Sequence, residues 1–325
     1  MFKIGNLELS LPFILAPMAG ITDLPFRLIN RKFGCELAFI EMLNARSLSY
    51  KSQRSQQMLT VDKKDTPLGI QLLGCEPEFI LRAIGVLNKY KFEVLDFNAA
   101  CPCKKVIRRG EGAALLKDPK KLNKLLNLIV KNTVLPVTVK IRTGWDKNSI
   151  NAKNVAVAAE DAGIKALFIH GRTRTQGYSG EVDYSTIKKV KKALAIPVIA
   201  SGNVFSCALA KKMFGETGCN AVLVARGALG NPWIFRELAS FFSNGKIPQR
   251  PNINEIVRIM LEHLNLCVDF HGPRIGTIVF RKFFSWYTKG YSATRILRKK
   301  ACYAKIPQDM AAIIEEFNNS STISP

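Results

Sequence analysis

Eight short apolar runs recur along the first two thirds of the chain, at residues 13–16, 37–40, 68–72, 94–97, 137–141, 166–169, 198–200 and 221–224. Between them lie longer amphipathic stretches, including 77–89, 119–131, 150–162, 185–193 and 206–214. Strands that read as continuous apolar runs are buried on both faces, which is the condition of a parallel sheet covered by helices. Eight such strands alternating with helices predict a closed (β/α)8 TIM barrel, an α/β fold. An open doubly wound sheet is the weaker alternative, because no GxGxxG follows the first run. Around Ser240 the pattern breaks. The stretch from Phe241 to Pro251 holds Gly245, Pro248 and Pro251 and reads as a linker. Helical periodicity returns at 253–270, 275–289, 292–301 and 308–317. The expected organisation is a barrel over 1–240, a linker over 241–252 and a small C-terminal helical domain over 253–325.

Charge narrows the choice of partner. The 325 residues carry a formal net charge of +23, of which +17 falls within 1–240 and +6 beyond it. The excess is spread over both parts, so it is not a basic tail. For a folded chain it points to a polyanion, nucleic acid first and a membrane surface second. No segment reaches membrane-spanning length without a charge. The eight cysteines are scattered and include no CxxC pair, which fits reduced thiols in a cytoplasmic protein. The histidines do not join them at metal-site spacing, so no metal is expected. His263 and Cys267 could share a helix face, but two ligands do not make a site.

In a barrel of this kind chemistry sits at the C-terminal ends of the strands, and these ends are polar. Pro17, Met18 and Ala19 follow the first run, Gln71 lies on the third, and Asn98 and Cys101 follow the fourth. Lys140 and Arg142 lie on the fifth, His170 and Arg172 end the sixth, Ser201-Gly-Asn203 the seventh, and Arg226 the eighth. Ser201, Gly202 and Asn203, with Ala225, Arg226 and Gly227, read as a phosphate cradle of small residues and an arginine fork. Gln71, Lys140 and His170 suit a flat heterocycle rich in carbonyls and ring nitrogens, with Lys140 placed to stabilise an anionic reduced flavin ring. Lys140 also reads as half of an interior ion pair, and His170 as a packed strand-end imidazole. Cys101 stands before Pro102, which biases it toward an extended backbone and aims its side chain at the mouth, whereas Cys103 points elsewhere. Lys104, Lys105, Arg108 and Arg109 follow at once, a positive loop beside a thiol that is mostly protonated at neutral pH.

The ordered set of motifs resembles the tRNA-dihydrouridine synthase family. It comprises Ala16-Pro-Met-Ala-Gly-Ile-Thr-Asp23, Gln71-Leu-Leu-Gly74, Asp96-Phe-Asn-Ala-Ala-Cys-Pro102, Gly112-Ala-Ala-Leu-Leu116 and Val139-Lys-Ile-Arg-Thr-Gly144. It continues through His170-Gly-Arg-Thr-Arg174 with Gln176 and Tyr178, Pro197-Val-Ile-Ala-Ser-Gly-Asn203, and Ala225-Arg-Gly-Ala-Leu-Gly-Asn-Pro-Trp-Ile-Phe235. Arg281-Lys282 with Trp286-Tyr-Thr-Lys-Gly290 further resembles the helical domain of the bacterial B-type branch. The resemblance implies FMN held by Pro17, Met18, Ala19, Gln71, Lys140, His170, Ser201, Gly202, Asn203, Ala225 and Arg226. NADPH is the implied reductant, and Cys101 the implied general acid. The implied substrate is a uridine flipped out of tRNA. Asn98, Lys104, Lys105, Arg142, Arg172, Arg174, Arg281 and Lys282 are the candidate contacts to that tRNA, and a monomer is expected. Two rivals share part of this pattern. A flavin barrel acting on a free small molecule, in the manner of a dihydroorotate dehydrogenase, does not call for the charge. A non-catalytic RNA-binding barrel does not call for Cys101, Gln71, Lys140 and His170 at converging strand ends.

Overall fold

The structure is a computed structural model that describes residues 2–292 and 294–319. Its strands are β1 (Phe2–Ile4), β2 (Leu7–Leu9), β3 (Phe13–Leu15), β4 (Leu37–Phe39), β5 (Leu43–Asn44), β6 (Leu68–Leu73), β7 (Val94–Asn98), β8 (Val137–Arg142), β9 (Ala166–His170), β10 (Val198–Ser201) and β11 (Ala221–Val224). Every expected apolar run is a strand. β3, β4 and β6–β11 pair in parallel, each with the next, and β11 pairs with β3, so the ring closes as a (β/α)8 barrel. β5 prolongs the β4 position along β6, with Leu43 opposite Leu72 and Asn44 opposite Leu73.

The interior is packed by side chains. Phe39 and Phe168 meet edge to face with centroids 5.6 Å apart. Gly69 makes this possible, since a Cβ there would lie 2.3 Å from the Phe39 ring. The sequence reading did not contain β1 and β2. They pair antiparallel, Lys3 opposite Glu8 with an ion pair of 2.5 Å, and turn at Gly5, whose φ is +60°. Phe2, Ile4 and Leu9 pack with Ile14, Leu37, Phe168 and Leu223 in one apolar cluster, and Gly5 lies against Pro136 and Lys165. Pro136 and Lys165 precede β8 and β9, so the hairpin covers the N-terminal end of the barrel and leaves the other end for the site.

Helix starts follow local chemistry. Asp118, Asp183 and Ser206 accept from the N–H groups of Lys121, Thr186 and Leu209 and cap the helices Pro119–Asn132, Tyr184–Ala193 and Cys207–Thr217. Pro77 and Pro119 occupy first helical turns, where their missing N–H is not needed.

The chain divides into two compact units, 2–23 with 35–225, and 24–34 with 226–319. The division differs from the expected boundary in two ways. Helix Leu24–Arg31 belongs to the second unit although it lies between two barrel strands in the chain. Helix Ile234–Asn244 also belongs to it and runs through the first residues of the expected linker. An amphipathic helix goes where its apolar face is covered. For Leu24–Arg31 that cover is aromatic: Phe26 stacks on Phe283, centroids 5.5 Å apart, within a cluster that includes His263 and Phe280. Helices Ile253–His271 and Pro273–Tyr287 approach closely because Gly276 faces the Cys267 carbonyl, where a Cβ would lie at 2.4 Å. Arg295–Tyr303 and Pro307–Asn319 complete this unit. Among the described residues no helix is long and apolar enough to cross a membrane, and no three His, Cys, Asp or Glu side chains form a metal-holding group.

Candidate active site

The strand ends at the barrel's C-terminal side carry a connected set of polar groups. Asp96 on β7 is 2% exposed. Its carboxylate accepts from the Thr138 hydroxyl at 2.7 Å and from Gln71 Nε2 at 2.6 Å. Gln71 Oε1 accepts from Asn98 Nδ2 at 2.7 Å. Asn98 Oδ1 accepts from the backbone N–H groups of Ala100 at 3.0 Å and Cys101 at 2.9 Å. Burial pushes the Asp96 carboxyl up to about 6, against the pull of its Gln71 and Thr138 hydrogen bonds and of nearby Lys140.

Cys101 sits where this chain ends. It is half-buried, and burial raises its thiol above the usual range, while the Cys103 backbone N–H and the Arg142 charge pull the other way. A thiol so placed keeps its proton at neutral pH and can donate it. Its loop is tightly seated. The Cys101 carbonyl accepts from the Ala113 N–H at 3.1 Å, and Gly112, at φ +60°, leaves no room for a side chain. A Cβ there would lie 2.9 Å from that carbonyl oxygen. Cys103 is exposed and begins the short helix Lys104–Ile107. Lys104 and Lys105 are exposed on that helix. Arg109 reaches Glu111, which is buried and also accepts from Asn44.

A second polar group forms across β8, β9 and β10. Lys140 Nζ donates to Ser201 Oγ at 3.4 Å, and His170 Nδ1 lies 3.1 Å from the same hydroxyl. Burial, helped by the Arg142 charge, brings the Lys140 amine down to about 8. Beyond Ser201 the backbone turns at Gly202 (φ +136°) and Asn203 (φ +56°), and Val182 lies 3.0 Å from where a Gly202 Cβ would be. Small residues at such a turn let backbone approach a phosphate closely. Pro17, Met18 and Ala19 follow β3 in a loop pinned by the Met18 N–H to Thr22 Oγ1 at 2.9 Å and by the Gly20 N–H to the Glu41 carboxylate. Ala225 ends the first unit directly after β11, and Arg226 opens the second in a short turn to Ala228. The amine of Lys140, the imidazole of His170 and the hydroxyl of Ser201 suit the carbonyl and ring-nitrogen edge of a flavin, and the Gly202 turn suits its phosphate, whereas the Gln71 amide is buried between Asp96 and Asn98.

Several expected tRNA contacts have other work. Arg142 is 3% exposed, and its guanidinium donates to the carbonyls of Ala100 at 2.7 Å, Thr173 at 3.0 Å and Gly177 at 2.8 Å. It clamps the Cys101 loop to the loop after β9. Arg172 is 1% exposed and donates to the Gly180 carbonyl and to Asn203 Oδ1. Arg281 grips the Ala304 carbonyl through Nε at 2.9 Å and Nη2 at 2.5 Å, which caps the helix Arg295–Tyr303. Asn98 is buried in the hydrogen-bonded chain. Lys282 lies over the Phe283 ring. Arg174 is half-buried and packs on Trp145 at 4.6 Å, with Lys117 3.7 Å from the same ring. Sequence reasoning quoted Asp96 and Gly112 within motifs without giving them a role, and did not single out Thr138 or Trp145. The available signal for Asp96 was an acid inside an otherwise apolar strand.

A profile described as "Dihydrouridine synthase (Dus)" matches residues 14–321. The chain is 38% identical over 317 residues to "tRNA-dihydrouridine synthase B" of Pasteurella multocida, covering 98% of this chain and 96% of that one. It is 39% identical to the protein of the same name from Pseudomonas aeruginosa, covering 97% and 95%. Among solved structures, the Amycolatopsis orientalis BexX/CysO complex shares the fold, with a TM-score of 0.50 at 17% identity over 77% of this chain and 98% of that one.

Proposed function

The chain belongs to the dihydrouridine synthase family of flavin-dependent oxidoreductases, and on that premise we propose that it reduces the C5–C6 double bond of specific uridines in tRNA. FMN, recharged by NADPH, supplies the hydride for uracil C6 when bound. Pro17, Met18, Ala19, Gln71, Lys140, His170, Ser201, Gly202, Asn203 and Ala225 hold it, together with Arg226 by its place in the chain. Cys101 delivers the proton to C5 from its Sγ. Arg142 keeps Cys101 in place through the Ala100 carbonyl. Lys104, Lys105 and Arg174 carry positive charge for the RNA backbone, and the helical unit carries more on Lys282. The protein acts in the cytoplasm as a monomer.

The observation that supports this reading most is the seating of Cys101, a half-buried thiol fixed by Asn98 and Gly112. The test is direct. Purified protein is expected to be yellow and to release FMN on denaturation. With NADPH it is expected to form dihydrouridine in tRNA prepared from cells lacking the gene, read by mass spectrometry of nucleosides. A colourless protein that takes up no FMN, or a flavoprotein that leaves that tRNA unchanged, contradicts it.

A further inference from the structure

The hydrogen-bonded chain from Asp96 to Cys101 has a fixed direction, and both of its ends impose it. A backbone N–H can only donate, so Asn98 must present its oxygen to Ala100 and Cys101. Its amide nitrogen is thereby committed to Gln71, which must present oxygen to Asn98 and nitrogen to Asp96. An ionised carboxylate can only accept, so Asp96 satisfies that nitrogen and fixes the same direction from the other end. Without an acceptor at 96, the direction rests on the Ala100 and Cys101 N–H groups alone, and the buried Gln71 nitrogen loses its partner. Gln71 and Asn98 could then both turn over, and Cys101 would lose the acceptor for its N–H.

We propose that Asp96, which lies beneath the mouth, is the positioning residue of this site: through Gln71 and Asn98 it sets which way both amides face and holds the backbone of Cys101. The proposal rests on the reading of Cys101 as proton donor for its consequence in catalysis, but its structural content is independent of that reading. Asp96 is 2% exposed and its two carboxylate oxygens are occupied by Gln71 and Thr138, so it acts through neighbours. Thr138 is a side branch, because its hydroxyl meets Asp96 and is outside the path to Cys101.

The experiment compares Asp96→Asn, Asp96→Leu and Thr138→Val in the full chain. An asparagine can still accept from Gln71 through Oδ1, turning its nitrogen to the Thr138 hydroxyl oxygen, so the direction survives. A leucine keeps the branched shape with a larger volume and offers no acceptor. The first measurement is the rate of Cys101 alkylation by iodoacetamide in cofactor-free protein, read by peptide mass spectrometry with exposed Cys103 as the internal reference. It needs no catalysis. Asp96→Leu is expected to raise the Cys101 rate relative to Cys103 several-fold, while Asp96→Asn and Thr138→Val stay within about twofold of wild type. The second measurement is the turnover of uridine in the flavin-loaded enzyme. Asp96→Leu is expected to lower kcat roughly tenfold or more, the scale of a displaced proton donor, with the KM for NADPH unchanged and Asp96→Asn close to wild type. If Asp96→Leu does not fold, Gln71→Met cuts the chain one link further on and is expected to give the same rise in Cys101 alkylation. An unchanged alkylation rate in the folded cut variants, equal effects of Asn and Leu, or an equal effect of Thr138→Val would overturn the proposal. If wild type reduces no uridine, the functional reading fails while the alkylation result stands on its own.

Discussion

Arg142 in the barrel unit and Arg281 in the helical unit were both expected to meet RNA, and both spend their guanidinium groups on backbone carbonyls. They differ in what those carbonyls belong to. Arg142 ties the loop bearing Cys101 to the loop after β9, so it holds a site. Arg281 closes the end of a helix, so it holds a fold. Net charge therefore overstates the number of cations free for a polyanion. At the barrel's site end Lys104, Lys105 and Arg108 are exposed and Arg174 is half-buried. The buried polar groups divide in the same way. In the barrel, Asp96 and Lys140 are displaced from their ordinary ionisation by burial. In the helical unit the Tyr287 hydroxyl is also pushed up by burial, but it lies 3.2 Å from His263 Nδ1 in an aromatic cluster that serves packing.

This contrast breaks if the two arginines behave alike. Arg142→Ala leaves the Ala100, Thr173 and Gly177 carbonyls without their donor, each at a cost of about 1–3 kcal/mol where buried. It is expected to lower uridine turnover at least 10²-fold and the melting temperature by several degrees. Arg281→Ala is expected to lower the melting temperature by a smaller amount and to weaken tRNA binding without changing flavin content or its reduction by NADPH. Similar losses of flavin chemistry in both variants would erase the distinction.

Lys140→Met sharpens it by separating stability from function. Burial brings the amine down to about 8 from an ordinary value near 10.5, so the folded chain resists carrying this charge. The penalty is present in full below pH 8 and fades as pH rises toward 10.5, where the unfolded chain also sheds the proton. The variant is therefore expected to melt a few degrees higher than wild type at pH 7, with that gain shrinking above pH 8, and to retain FMN poorly. A lower melting temperature at pH 7 with normal flavin content would show that Lys140 is a structural ion pair. The smallest effect concerns the exposed pair. Lys104→Ala and Lys105→Ala are each expected to reduce the slope of log affinity for tRNA against log salt by about one, with flavin content unchanged.

The barrel was legible because strands covered on both faces have no polar alternation to blur them, and Asp118, Asp183, Ser206 and the helix-starting prolines mark where helices begin. The hairpin of β1 and β2 was not, since Lys3 and Glu8 interrupt its three-residue strands and leave no apolar run to register. Helix Leu24–Arg31 was invisible for a different reason. Its amphipathic pattern shows that one face is covered, not which element covers it. At the site, residue types and strand-end positions marked Cys101, Gln71, Lys140, His170 and Ser201. What Arg142 and Arg172 touch was beyond reach, because a guanidinium next to a glycine-rich loop reads the same whether it meets a carbonyl or a phosphate. Asp96 lay within a quoted motif, yet its hydrogen-bond partners come from β6 and β8, 25 and 42 residues away.

The central claim is that Cys101, and not its neighbour two residues on, gives the proton. Cys101 is half-buried and held by Asn98 and Gly112, while Cys103 is exposed at the start of the next helix. The most direct measurement is single-turnover oxidation of the reduced flavin by unmodified tRNA in Cys101→Ala and Cys103→Ala. Cys101→Ala is expected to bind FMN and accept electrons from NADPH normally but to slow the tRNA-dependent step by roughly 10²–10⁴-fold, the usual loss for a general acid. Cys103→Ala is expected to match wild type. A Cys101→Ala enzyme at full speed beside a dead Cys103→Ala enzyme would contradict the account.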